Sequence, residues 1–177
     1  MTISLAIDTS TSRTIVAAIE DGKVLFESFN EGATDHGKAL PELIAAALKV
    51  APKPERVVVG MGPGPFTGLR VGITFARTFA YSRGIDLKGV CSLDAIAIDQ
   101  SEYTVAVDAR RKEIYWASYK DGVRVAGPSV NKPAEVAGYI FDVYPDMQKL
   151  VELSYSQNET EPMYLRRPDA VPTAERA

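Results

Sequence analysis

The 177-residue chain has one cysteine, one histidine, no excess of positive charge and no long apolar run. Each shortage closes off a class of protein. A lone thiol, Cys91, forms no intramolecular disulfide, which suits a reducing compartment. It follows the apolar stretch Leu87-Lys88-Gly89-Val90, so a buried structural thiol is expected. One imidazole, His36, is alone a poor metal site. It is expected to pack or hydrogen-bond locally at a helix start. Twenty Lys and Arg stand against 23 Asp and Glu, a net charge of −3. That balance disfavours tight binding of nucleic acid by this chain alone, though it allows a local basic patch. No segment approaches the ~20 apolar residues of a membrane span. The first residues run straight into Ile3-Ser4-Leu5-Ala6-Ile7-Asp8, which reads as a strand rather than a signal peptide. A cytoplasmic protein with no membrane association is therefore expected.

What is present is a repeat at an offset of 100 residues. Leu5-Ala6-Ile7-Asp8 matches Val105-Ala106-Val107-Asp108, Ala17 matches Ala117, and Asp21-Gly22 matches Asp121-Gly122. Each copy reads as strand, tight turn at the aspartate, strand, Asp-Gly hairpin, strand. The first copy continues with Leu40, Leu43, Ile44, Ala47 and Leu48 at helical spacing, predicting a helix over His36–Val50. A short buried strand at 56–60, a Gly/Pro loop, a helix over 69–82, a strand at 87–90 and a Ser92-capped helix to about residue 98 follow. The second copy is shorter. Three strands are expected over 101–125, then a helix over 133–141. The place of its fourth strand falls on Ser156-Gln157-Asn158-Glu159-Thr160, too polar for a buried strand. From residue 156 an extended or mobile tail is expected. The division is thus 1–100 for an N-terminal lobe and 101–177 for a shortened C-terminal lobe and tail, in the α/β class.

Four motifs sharpen this: Asp8-Thr9-Ser10-Thr11-Ser12; Gly62-Pro63-Gly64-Pro65-Phe66-Thr67-Gly68-Leu69-Arg70-Val71-Gly72; Asp108-Ala109-Arg110-Arg111-Lys112-Glu113-Ile114-Tyr115; and Pro162-Met163-Tyr164-Leu165-Arg166-Arg167-Pro168-Asp169-Ala170. Together with the repeat they resemble the bacterial tRNA threonylcarbamoyladenosine-biosynthesis family TsaB (YeaZ-like, once called glycoprotease-like). The resemblance implies the actin-like, Hsp70 and sugar-kinase (ribonuclease H-like) fold. It further implies a non-catalytic scaffold that works with a catalytic threonylcarbamoyl transferase sister subunit and an ATPase subunit, and meets tRNA indirectly. No cofactor is implied for the chain alone, with room for a nucleotide at a shared interface of the complex. Pro65 stands where the family usually has serine, and the second lobe is expected to lack a strand and a helix.

The residues themselves argue in the same direction. In the superfamily, ATP phosphates lie between two aspartate turns rich in glycine and small polar residues, because backbone N–H groups must come close. Here the turn at 8–12 has hydroxyls but no glycine, and Asp108-Ala109-Arg110-Arg111 has neither. Asp8, Ser10, Asp108 and Arg110 thus read as degenerate phosphate loops, with Arg110 and Arg111 able to meet an anion or acidic partner. The 62–68 loop lacks the Gly-Lys-Ser/Thr of a P-loop and the third glycine of a dinucleotide fold. Its prolines stiffen it and remove donors, so it reads as a rigid turn. The sister subunit of the resembled family binds metal through two histidines four residues apart; here His36 is followed at that spacing by Leu40. The helices carry spare apolar surface, and the resemblance implies a four-helix bundle with the sister. The expected interface residues are Leu40, Leu43, Ala46, Ala47, Leu69, Arg70, Ile73, Ala76, Arg77 and Ala80. The same residues equally suit a double-sided core inside one lobe. Without the sister, the same face would pair two copies as a homodimer. The competing enzymatic readings are a minimal ATPase or phosphotransferase of the actin-like class, resting on Asp8 and Asp108, and a metallopeptidase.

Overall fold

The computed structural model describes residues 1–166. The first sheet has the order β3-β2-β1-β4-β5. Its strands are β1 (Ile3–Asp8), β2 (Arg13–Glu20), β3 (Lys23–Glu31), β4 (Arg56–Gly60) and β5 (Asp86–Val90). β1 to β3 form an antiparallel meander, and β4 and β5 join parallel to β1. The second sheet, β8-β7-β6-β9, repeats the meander with β6 (Glu102–Asp108), β7 (Ile114–Lys120) and β8 (Val123–Asn131). The matched Asp-Gly pairs make matched turns: φ is 45° and 83° at Asp21 and Gly22, and 48° and 76° at Asp121 and Gly122. Two consecutive positive φ angles give the turn whose twist suits a two-residue hairpin.

Helices α1 (His36–Val50) and α2 (Phe66–Arg83) cover one face of the first sheet. Leu40, Ile44, Ala47, Leu69, Ile73, Ala76 and Ala80 meet Leu5, Ile7, Val57 and Val59 there. The opposite face is covered from the second half of the chain. Met147, Leu150 and Val151 of α3 (Met147–Leu153) pack on Ala6, Ile15, Ala17 and Val58. Asp146 caps α3 by accepting from the Lys149 amide.

Several expectations need correcting. Helix α2 begins at Phe66, three residues early, with Pro65 preset at φ −59° as its N-cap residue. No helix forms over 92–98, where successive i→i+3 bonds make turns instead. The Ser92 hydroxyl cannot cap because it donates to Asp8 and accepts from the Gly62 amide. Residues 133–141 are not helical beyond a 3-10 turn at Pro133–Glu135. Gly138, at φ +64°, ends that course, and β9 (Tyr139–Ile140) pairs parallel with β6. The second lobe therefore keeps a two-residue fourth strand, but among the described residues it lacks an α-helix before β9 and a fifth strand beyond it, so the expected loss of a strand and a helix holds with the missing strand at a different place.

The expected tail is extended but anchored through residue 166. The Glu159 amide donates to the Gly89 carbonyl on the open side of β5, and the Met163 amide donates to the Met61 carbonyl. Met163 and Leu165 pack into the second-lobe core. Arg166 bonds the Arg110 carbonyl and pairs with Glu113. The last motif residues, Arg167, Pro168, Asp169 and Ala170, lie outside the described residues. Among the described residues, no helix is long and apolar enough to cross a membrane.

Candidate functional site

Asp8 ends β1 fully buried, its side chain lying over Gly60 at the tip of β4 and reaching Ser92 just beyond β5. One carboxylate oxygen accepts from the Ser10 amide (2.9 Å) and the Ser10 hydroxyl (2.7 Å). The other accepts from the Ser92 hydroxyl at 2.6 Å. Burial pushes its carboxyl above the ordinary carboxylate value, against the opposing hydrogen bonds from Ser92 and Ser10. A carboxylate bonded in this way organises strand ends, with three hydrogen bonds from the fold on its two oxygens.

Glycines press the rest of the motif onto this turn. A Cβ on Gly60 would fall 1.8 Å from an Asp8 oxygen, and one on Gly64 would fall 2.5 Å from the Ser10 carbonyl. Gly68 and Gly72 meet Thr9 in the same way, and Thr9 donates its hydroxyl to the Gly68 carbonyl at 2.7 Å. These glycines bring protein backbone, rather than a phosphate, against the first turn. His36 lies beneath, 4% exposed, its Nδ1 2.8 Å from the Thr14 hydroxyl. Burial pushes its imidazole below the ordinary value, partly opposed by the Asp8 carboxylate.

The second turn is open. Asp108 accepts from the Arg110 amide at 2.9 Å, and their side chains lie 3.8 Å apart. Arg110, Arg111 and Lys112 all have positive φ (64°, 55° and 62°), a run that disfavours L-residues. Asp108 and Arg110 line a cleft of about 300 Å³ between the lobes, with Thr11, Ser12, Phe141 and Tyr144. On the first-lobe side the Arg13 guanidinium lies between Tyr144 (3.6 Å to the ring centre) and Phe29 (4.3 Å), and pairs with Glu31. The cleft thus places Asp108 and Arg110 within reach of one ligand but leaves Asp8 and Ser10 occupied with the fold. Among the described residues, no three His, Cys, Asp or Glu side chains are grouped to hold a metal ion.

Cys91 is buried, and although Arg124 lies 3.2 Å away, burial pushes its thiol up to about 12. The native protein is expected to react with a thiol reagent at pH 8 about 100-fold more slowly than the urea-unfolded chain, because so little thiolate is present. Comparable rates would refute this.

The helix residues divide. Leu40, Ala47, Leu69, Ile73, Ala76 and Ala80 are 0–4% exposed and belong to the sheet-facing core, so they present nothing to a partner. These six form a core on the sheet side of the helices alone. Ala76→Glu would bury a charge in that core and test the fold instead of an interface. Leu43 and Ala46 are partly exposed, and Arg70 and Arg77 point outward. The outward stripe of α2 is Phe66, Arg70, Thr74, Arg77 and Tyr81, with Phe66 53% and Tyr81 91% exposed. Phe66, Thr67, Arg70, Val71, Thr74 and Phe75 line a shallow groove, and Tyr164 packs on Phe66 with the rings tilted by 46° and their centres 4.9 Å apart. Sequence reasoning named Arg70 and Arg77 but missed Phe66, Thr74 and Tyr81, because Phe66 precedes the expected helix start at 69 and the other two lie off the apolar stripes. The i, i+4, i+8, i+11, i+15 spacing of mixed aromatic and polar residues was the available signal.

Comparison with known proteins gives consistent results. The family model described as TsaD: tRNA N6-adenosine threonylcarbamoyltransferase matches residues 29–170. An uncharacterized protein of Mycobacterium leprae is 40% identical over 204 residues, covering 97% of this chain and 57% of that protein. The tRNA threonylcarbamoyladenosine biosynthesis protein TsaB of Bacillus subtilis is 33% identical over 133 residues, covering 70% of this chain and 58% of that protein. The chain thus spans a little over half the length of both. In structure, YeaZ from Pseudomonas aeruginosa superposes with a TM-score of 0.77 at 21% identity, over 93% of this chain and all of that one. This last likeness shows the fold.

Proposed function

Because the chain belongs to the family of TsaD: tRNA N6-adenosine threonylcarbamoyltransferase, as a TsaB/YeaZ-like protein, we propose that it is a cytoplasmic, non-catalytic partner subunit in threonylcarbamoyladenosine modification of tRNA. It docks through the outward side of α1 and α2 onto the catalytic sister subunit, and an ATPase subunit acts on the assembly. The transferred group goes to the adenosine beside the anticodon, and tRNA meets this chain only within the complex. The observation that carries this reading is the state of Asp8: its oxygens are taken by Ser10 and Ser92, and glycine backbone fills the approach to its turn. A chain so built contributes by contact. The groove from Phe66 to Phe75, with Arg70, Arg77, Leu43 and Ala46 around it, is the surface offered.

The test is to mix the purified chain with its cognate sister subunit and measure mass by light scattering. A stable complex, burying about 800 Å² per partner, is expected at micromolar concentration; two independent species would end the proposal. In cells, depletion of this chain should lower threonylcarbamoyladenosine in tRNA hydrolysates. The isolated chain should show no Mg-ATP binding tighter than ~0.1 mM by titration calorimetry, a threshold of roughly 5.5 kcal/mol. Tighter binding, lost on Asp8→Asn, would favour the phosphotransferase reading instead.

A further inference from the structure

Helix α2 has 18 residues, three of them arginine and none aspartate or glutamate. All three arginines are exposed, in a chain whose net charge is −3. Each is held in place. The Arg70 guanidinium lies 5.0 Å from the Phe66 ring centre, and that of Arg83 lies 4.5 Å from Phe79. Arg77 donates to the Thr160 carbonyl at 2.7 Å. Among the described residues none of the three forms an ion pair. The exposed charges of neighbouring α1 add Lys38 and Lys49 against Glu42 alone. Arg70 and Arg77 are two helical turns apart, about 10.5 Å along the axis, at the border of the apolar groove.

Guanidiniums already held by a ring, as Arg70 is, or by a carbonyl, as Arg77 is, lose little freedom on binding, and their planar forks suit carboxylates. We propose that this face takes an acidic helical surface of another protein, whose Asp or Glu carboxylates pair with Arg70 and Arg77 beside the Phe66–Phe75 groove. The inference rests on the docking reading above and adds the partner's chemistry to it.

The experiment measures Kd for the cognate sister subunit by titration calorimetry at 50 and 500 mM NaCl. A rise of about tenfold or more is expected, because rim charges are screened by salt. At low salt Arg70→Glu with Arg77→Glu should raise Kd by about 100-fold or more, and Arg70→Lys with Arg77→Lys by less. Lys23→Glu, on the β2–β3 turn, should leave Kd unchanged. Circular dichroism and melting confirm that each variant folds; if the double reversal does not, Arg70→Gln with Arg77→Gln and the salt series carry the test. A complex indifferent to salt and to the double reversal would overturn this inference and leave docking standing. No complex at all would overturn both.

Discussion

Gly60→Ala is expected to cost about 3 kcal/mol or more of folding stability, at the upper end of overpacking effects. The added methyl would sit 1.8 Å from an Asp8 carboxylate oxygen and 2.5 Å from the Ser92 hydroxyl. Neither can swing aside, because Asp8 is bonded to both Ser10 and Ser92, and Ser92 also accepts from the Gly62 amide. Any shift breaks a bond joining β1, β4 and β5. Urea denaturation would measure the loss as a lower midpoint with an unchanged slope. Gly37→Ala is the matched control. Nothing lies within 4 Å of its added methyl, and it sits on the exposed side of α1. There alanine should stabilise by about 0.5–1 kcal/mol. If the two substitutions had equal effects, close approach at Asp8 would not be what requires glycine at position 60.

Asp8→Ala and Asp8→Asn should separate by a wide margin. Alanine leaves three buried donors without their acceptor: the Ser10 amide and the hydroxyls of Ser10 and Ser92. Orphaned buried donors cost about 1–3 kcal/mol each, so a loss of about 3–5 kcal/mol is expected. Asparagine keeps one carbonyl oxygen for Ser10 and removes the buried charge, so its loss should be near 1 kcal/mol. The pH dependence checks the assignment. Burial raises the native carboxyl above its unfolded value, so the native state binds the proton more tightly. Asp8 therefore lowers stability progressively as pH rises from the ordinary carboxylate range through the raised native value. Above that window the penalty is complete. Asp8→Asn should remove this component, flattening the curve of stability against pH. His36 works in the opposite sense, since its lowered native value makes stability fall as pH drops below its ordinary range. An Asp8→Asn protein with the wild-type pH profile would refute the assignment.

Much of the meander architecture was legible in the residues. The offset of 100 places β1, β2 and β3 over β6, β7 and β8 because both copies repeat the aspartate turn and the Asp-Gly hairpin, which are local and strongly determined. The rigid reading of the 62–68 loop also agrees with its contacts, since its glycines are fitted against Thr9 and Ser10. Less legible were features that depend on a distant partner. Ser92 looked like a helix cap, but Asp8, 84 positions away, takes its hydroxyl. The polar segment at 156–160 looked unattached, yet its backbone supplies partners for Gly89 and Arg77. Six of the ten expected interface residues lie in the core for a related reason. Apolar spacing locates the side of a helix that is buried, and in α2 that side belongs to the sheet; the outward side is written in Phe66, Arg70, Arg77 and Tyr81.

The segment at 157–166 has a further consequence for biosynthesis. All five strands of the first sheet are present once residue 90 has left the ribosome, but the Gly89 peptide stays bare until Asn158 and Glu159 arrive. At ordinary elongation rates that interval is about 3–14 s. Throughout it the nascent lobe displays a raw β-margin able to recruit a stray strand. Truncation before residue 158 would make that brief vulnerability permanent.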